Sequence, residues 1–171
     1  EDVILYSYSN VGVFYYTEDI MEFRHLSDKF YRKYPSEQFP ELMVKENRPY
    51  TQVITDINGL KFAVPLRSDI SHSTDVLWTD KQAGHGLDFT KAVIILDDEY
   101  VSDEKVFIRQ KEHKHLLGKE RRVKEKMEKC IANYKKAKSN IKEKHNAEYC
   151  KFSTLQYFEE YIYDQETKIP E

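Results

Sequence analysis

Asn58-Gly59 sits between two β-rich apolar runs, residues 50–57 and 60–66, and no other feature constrains the fold as strongly. This dipeptide readily supplies the two positive-φ positions of a type I′ turn, so the spacing predicts a tight hairpin. The second strand then leads into Arg67-Ser68-Asp69-Ile70-Ser71-His72. Within six residues this run offers a guanidinium, two hydroxyls, a carboxylate and an imidazole. A polar cluster at the point where a rigid strand gives way to a loop is well placed to hold catalytic groups.

The chain has 171 residues, enough for one domain with a real core, and no linker or repeat divides it. It has no apolar run of membrane-spanning length. The first residues lack a basic stretch ahead of Val3-Ile4-Leu5, so the secretory pattern fails. Cys130 and Cys150 stand in different segments, with no metal-ligand spacing. Together these features predict a cytoplasmic protein with reduced thiols. The net charge of −3 hides an asymmetry: residues 105–151 carry 16 Lys and Arg against 6 Asp and Glu, a local +10, and the rest of the chain sums to −13. Such a segment is either a solvated helix face or an electrostatic footprint for a polyanion.

Residues 1–20 are aromatic and β-prone without alternation, an extra strand or arm, and Met21 opens a fresh pattern as a candidate natural start. Ser27 is a candidate N-cap for a short helix that ends at Pro35. That helix presents Tyr31, Arg32, Lys33 and Tyr34, a mixture of stacking and phosphate-binding groups, although Phe30 and Tyr34 also suit a core. Val76-Leu77-Trp78 reads as a short strand, Gly84-His85-Gly86 as a turn, and residues 87–96 as one buried strand that opens with Asp88, Thr90 and Lys91. Beyond Ser102 the period becomes helical. Leu116, Val123, Cys130 and Ala137 recur at seven, beside a parallel row of Met127, Tyr134 and Ile141, which predicts a long helix over residues 111–139 with Gly118 as a weak point or a junction. A last helix should open at the capping box Ser153-Thr154-Leu155-Gln156 and turn Leu155, Phe158, Tyr161 and Ile162 inward; the tail from 165 reads as frayed.

Among chemistries, zinc binding by His113 and His115 fails because side chains two apart diverge on a helix. There is no phosphate-binding glycine loop, nucleophile elbow or Cys/His nucleophile pattern, and the acidic run 97–99 reads as a solvated turn rather than a cation site. No metal ligand and no cofactor is expected. RNA carries its own nucleophile, the 2′-hydroxyl, so cutting it needs only a base, an acid and a cation for the developing charge. Arg67 could clamp the phosphate, Ser68 could donate a hydrogen bond to it, and His72 belongs to the residue type suited to proton transfer near neutral pH. The same residues also fit a structural loop in which Arg67 pairs with Asp69, Ser68 caps a turn and His72 is satisfied locally. The residues alone leave both readings open.

Several pieces, in order over about 140 residues, resemble one family: Leu26-Ser27-Asp28-Lys29-Phe30-Tyr31, Asn47-Arg48-Pro49-Tyr50, the stretch 58–68, Gly86-Leu87-Asp88-Phe89-Thr90-Lys91-Ala92, and Cys150-Lys151-Phe152-Ser153-Thr154-Leu155. They resemble the endoribonuclease toxins of type III toxin-antitoxin systems, the ToxN/AbiQ family and its TenpN-like branch. The resemblance implies an α+β fold: a compact, strongly bent antiparallel sheet or barrel similar to the Kid/MazF toxins, with a long basic helix and further helices packed around it. It implies metal-independent cleavage that leaves a 2′,3′-cyclic phosphate and a 5′-hydroxyl. The implied substrates are messenger RNA and a repetitive precursor RNA; the partner is the small pseudoknotted antitoxin RNA cut from that precursor, held in a closed protein-RNA assembly in the bacterial cytoplasm as a phage defence. By position, Ser68 matches a site hydroxyl and Arg67 replaces its neighbour; the nearby lysine of ToxN has no match before Lys81, and His72 is the proton-transfer residue that follows instead. The implied RNA-binding set is Tyr31, Lys33, Arg48, Lys61, Lys81 and Lys91 with the Lys-rich helix. The alternatives are a non-catalytic RNA-binding module and a Kid/MazF-type nuclease held by a protein antitoxin.

Overall fold

The structure is a computed structural model that describes residues 3–6, 21–44 and 50–164. The hairpin forms as its sequence predicts. β3 (Gln52–Ile57) and β4 (Leu60–Arg67) pair antiparallel from Gln52↔Pro65 to Ile57↔Leu60. Asn58 at φ 53° and Gly59 at φ 82° make the turn, the left-handed pair a type I′ connection requires. Around this hairpin lie β1 (Val3–Tyr6), β2 (Glu22–Leu26), β5 (Val76–Asp80), β6 (His85–Asp88), β7 (Val93–Ile94), β8 (Val101–Ser102) and β9 (Val106–Arg109). The main sheet has seven strands in the order β5-β6-β4-β3-β2-β8, with β7 also on β4. Every pairing in it is antiparallel. β1 forms a separate antiparallel pair with β9, so part of the expected N-terminal arm is a strand.

The sheet does not close, because β5 and β8 stand at its two ends; the expected barrel is replaced by an open sheet. β4 changes partners along its length: Phe62 and Ala63 face β7, whereas Leu66 and Arg67 face β6. Pro65 lies between the two pairings. A proline has no N–H to donate, so it is tolerated where one side of a strand goes unpaired.

Among the described residues, five α-helices pack on this frame. α1 (Asp28–Lys33) begins at Ser27, whose side-chain oxygen accepts from the Phe30 N–H, as the sequence suggests. The predicted helix 111–139 is two helices, α2 (Gln110–Leu116) and α3 (Glu120–Ser139). The break falls at Gly118, whose φ of 71° an α-helix cannot hold. The heptad row still points inward on α3: Val123, Met127, Cys130, Tyr134 and Ala137 are all buried, as is Leu116 at the end of α2. Ile141 is exposed because α3 has already ended. α4 (Lys144–Phe152) has no counterpart in the sequence prediction. Ser153 does cap a turn, but a single 3-10 turn, Thr154–Tyr157, followed by α5 (Glu159–Asp164).

The apolar run 87–96 is not one strand. It is β6, a 3-10 turn over Phe89–Lys91, and β7. Asp88 diverts the chain: its carboxylate accepts from the Thr90 N–H and caps the turn. Phe30, Phe62, Phe89, Phe158, Met127 and Leu155 centre a single contiguous core. Each such side chain contributes roughly 1.5–3 kcal/mol when fully buried.

Candidate active site

Arg67 ends β4, and Gly86, two residues before Asp88, lies opposite it on β6. The alternation of strands therefore puts Arg67 and Asp88 on one face. The contacts follow from that register. Arg67 Nη1 donates to Asp88 Oδ2 in an ion pair, and His72 Nε2 lies 3.1 Å from the same oxygen. The second oxygen, Oδ1, accepts from the Thr90 N–H at 3.1 Å and the Thr90 hydroxyl at 2.6 Å. Asp88 is 0% exposed. A carboxylate buried this completely persists as a charge only when its lone pairs are filled by charged or strong donors, and these four contacts do so.

The loop between β4 and β5 carries Ser68 and His72 and is fixed at both ends. Asp69 and Asp75 adopt φ of 59° and 48°, the left-handed region that costs an L-residue roughly 1–2 kcal/mol. The Ile70 N–H donates to the Gly84 carbonyl at 3.0 Å. The Asp75 carboxylate accepts from Asn133 Nδ2 at 3.0 Å and the Tyr149 hydroxyl at 2.7 Å, and its carbonyl accepts from the Phe89 N–H at 3.0 Å. Lys126 Nζ donates to the Val76 carbonyl at 3.0 Å. Helices α3 and α4 thus hold one end of the loop, and the β5–β6 turn holds the other. Burial pushes the Tyr149 hydroxyl far up, with Cys130 and Asp75 adding to it, so it stays a donor.

Two polar atoms here are enclosed and unpartnered, Arg67 Nε and His72 Nδ1. An ionised carboxylate only accepts, so His72 presents Nε2–H to Asp88 and leaves Nδ1 as the remaining nitrogen. Ser68 is half-buried at the end of β4. Tyr50 is close enough that Arg67 pulls its hydroxyl down while Asp69 raises it; burial is the largest effect and the net direction is up. The His72 ring packs edge-on with Phe152, centroids 5.2 Å apart at 85°.

The structure brings together Arg67 and His72, with Ser68 beside Arg67. Arg67 pairs with Asp88, not with Asp69 as a plain surface loop would have it. The expected RNA-binding residues do not form one surface. Lys91 is 5% exposed, donating to Glu41 and, at 2.7 Å, to the Phe152 carbonyl. It is an interior cation, which corrects its assignment to a groove. Lys61 pairs with Asp98 at 2.8 Å, six residues along β4 from Arg67, or about 20 Å at the rise of a strand. Tyr31 is half-buried with an enclosed hydroxyl, raised to about 12 by burial and by Tyr50. Lys33 and Lys81 are exposed. Arg48 lies outside the described residues.

Asp88, Thr90, Tyr50 and Phe152 escape a reading of the sequence as site residues. Asp88 and Thr90 left a trace as polar residues heading an apolar run, and Tyr50 and Phe152 only as members of the pieces that carry the resemblance. Another polar cluster, His85, Arg109 and Glu112, joins β6, β9 and α2: Arg109 Nη1 lies 3.1 Å from His85 Nδ1 and 3.6 Å from Glu112 Oε1. Its charges compensate one another internally. Among the described residues, no group of three His, Cys, Asp or Glu side chains is placed to hold a metal, and no helix is long and apolar enough to cross a membrane. Cys130 and Cys150 are both buried and free. Comparison with protein-family models, curated proteins and solved structures returns no match.

Proposed function

We propose that this chain is a metal-independent endoribonuclease that cuts RNA by attack of the 2′-hydroxyl, and that it acts as the toxin of a type III toxin-antitoxin system. One observation carries the nuclease reading: Arg67 and His72 converge on the buried Asp88 carboxylate, each with a further nitrogen enclosed and unpartnered. A structural ion pair has no use for an unpaired buried polar atom, a donor at Arg67 Nε and an acceptor at His72 Nδ1, each of which costs roughly 1–3 kcal/mol. Both side chains reach the surface, Arg67 at 16% and His72 at 23% exposure. A phosphodiester seated there, with the site opened enough to bare the two nitrogens, supplies what they lack: anionic oxygens for Arg67 and a hydroxyl proton for His72.

In this mechanism Asp88 holds the His72 ring and fixes its tautomer, so that Nδ1 accepts the 2′-hydroxyl proton. Arg67 and the Ser68 hydroxyl donate to the non-bridging oxygens as negative charge builds on the phosphorane. As the P–O5′ bond breaks, the departing 5′-oxygen takes a proton from a solvent water, and the products are a 2′,3′-cyclic phosphate and a 5′-hydroxyl. The two left-handed aspartates that bracket the loop fit this reading, because backbone strain concentrates where geometry must be held. The toxin role and the repetitive antitoxin RNA rest on the ordered sequence resemblance. Exposed cations of α3 such as Arg122, Lys129 and Lys136, spaced at seven, suit a polyanionic partner.

The test is cleavage of single-stranded RNA in EDTA by the purified protein, with end-group analysis. Wild type should leave cyclic phosphate ends, and His72→Ala should cut at least a hundred-fold more slowly when assayed well below its melting temperature, which the lost Asp88 contact should lower somewhat. Arg67→Ala also strips Asp88 of its ion-pair partner, so its activity is read together with its melting temperature. A His72→Ala protein that cuts as wild type does removes the mechanism; a wild type that binds RNA without cutting it is a binding module. Purification from the native host should bring a short repeat RNA with the protein, and a bound protein instead would point to a protein antitoxin.

A further inference from the structure

We propose that the exposed ring of Phe152 is a stacking subsite for the nucleobase that flanks the scissile phosphate. This deepens the nuclease reading and rests on it.

Phe152 is 39% exposed, although both its flanks are built into the interior. Cys150, Ser153, Thr154 and Leu155 are all buried. The Thr154 hydroxyl donates to the carbonyls of Thr90, at 3.1 Å, and Ala92, which pins the end of α4 to the 3-10 turn that carries Lys91. The ring is thus presented on a rigid backbone.

One face of the ring is already taken. Lys91 Nζ lies 3.7 Å from the ring centroid, and the same ammonium is bound by the Phe152 carbonyl and the Glu41 carboxylate. A buried lysine is costly, and here its contacts converge on a single aromatic residue and its support. His72, which is proposed to take the proton, packs against the ring edge-on. The exposed part of Phe152 is therefore a stiff aromatic surface, backed by a cation and adjoining the reacting groups.

RNA offers one group that matches such a surface, the π-face of a base. Stacking of this kind accepts every base and favours the larger purine area. It also defines a division of labour in which Arg67 and Ser68 take the phosphate, His72 the hydroxyl, and Phe152 fixes the neighbouring nucleotide so that the ribose stays in line.

The experiment is a binding cycle that does not depend on cleavage. Fluorescence anisotropy is measured with a short labelled 2′-O-methyl RNA and with the same strand carrying one abasic residue at each position in turn. Phe152→Leu, which keeps apolar volume but removes the ring, should weaken binding of the intact strand about ten-fold, whereas Phe152→Tyr and Phe152→Trp should bind as wild type does. One abasic position should weaken wild type equally and add nothing to the Phe152→Leu loss, the signature of two changes that remove one contact. If Phe152→Leu binds like wild type, or if its loss multiplies with that of every abasic position, the subsite is refuted while the nuclease reading stands. If wild type binds none of these strands, the nuclease reading fails and the subsite fails with it. Melting temperatures should match wild type for Phe152→Tyr and Phe152→Trp and fall modestly for Phe152→Leu, which loses the ring over Lys91; binding measured well below all of them separates lost contacts from lost structure.

Discussion

Replacing Asp88 by asparagine tests the centre of the site with almost no change in shape. Asp88 accepts two bonds on each oxygen, Arg67 and His72 on Oδ2 and the Thr90 N–H and hydroxyl on Oδ1. An amide oxygen can keep the Thr90 pair, but its NH2 group then faces two donors. One of these is a guanidinium whose side chain is only 16% exposed. Removing one partner of a buried ion pair costs about 3–5 kcal/mol; Arg67 can swing part of its head into water, so we expect about 3 kcal/mol. At this chain length each kcal/mol moves the melting temperature by about 2–4 °C, which gives a drop of roughly 6–12 °C. The reasoning requires that Arg67→Met, which deletes the stranded charge, restore at least half of the loss when combined with Asp88→Asn. Urea denaturation followed by circular dichroism measures both. An Asp88→Asn protein within about 0.5 kcal/mol of wild type, the range of an uneventful surface change, would refute the picture, as would a double variant no more stable than the single one. Cleavage should fall in both variants even well below their melting temperatures, because neither holds His72 or the phosphate as wild type does.

Two further perturbations follow from the geometry. A Cβ on Gly86 would lie 2.6 Å from the Leu77 carbonyl oxygen and 3.1 Å from the Trp78 Cα, so Gly86→Ala must part β5 from β6; we expect about 2–3 kcal/mol of destabilisation and reduced cleavage, read by thermal melting and RNA digestion. For Glu159, burial acts to raise the carboxyl, but the hydrogen bonds from Lys138 and Tyr134, with the Lys138 charge, outweigh it and hold the group below the ordinary range. A carboxyl depressed on folding stabilises above its unfolded pKa, near 4.3, and that stability fades as pH falls through the folded value; Glu159→Gln should therefore lower the melting temperature at pH 7 and bring the two proteins together toward pH 3.

How far the sequence announces this molecule depends on the range of the interaction concerned. The Asn58-Gly59 hairpin and the inward row of α3 are local patterns, and both are present as read. The break at Gly118 is foreshadowed by the residue itself. The apolar run 87–96 misleads because continuous apolar residues carry no period, and a side-chain cap from Asp88 interrupts what hydropathy joins. α4 escapes because its buried contribution is small, with Cys150 inside and Ala147 and Tyr149 half-buried on a polar background. Lys91 shows the limit most clearly. Charge alone places it on a surface, while its partners Glu41 and Phe152 come from 50 and 61 residues away. A cation among Ala92, Val93 and Ile94 is itself a signal that neutralisation must come from elsewhere in the chain.

Pro65 has a consequence for motion. Because β4 passes from β7 to β6 across a residue with no amide proton, the strand end that bears Arg67 is paired with β6, while the stretch from Leu60 to Pro65 is paired with β3 and, at Phe62 and Ala63, also with β7. Amide exchange should divide along that line, with slow protection from Phe62 to Val64 and a separate opening unit comprising β5, β6 and the end of β4. Flexing of that leaf about the proline would move Arg67 and Asp88 together, with His72 restrained by the contacts that α3 and α4 make at Asp75. On the nuclease reading proposed above, a small tilt of this kind would admit a strand of RNA without any melting of the core behind it.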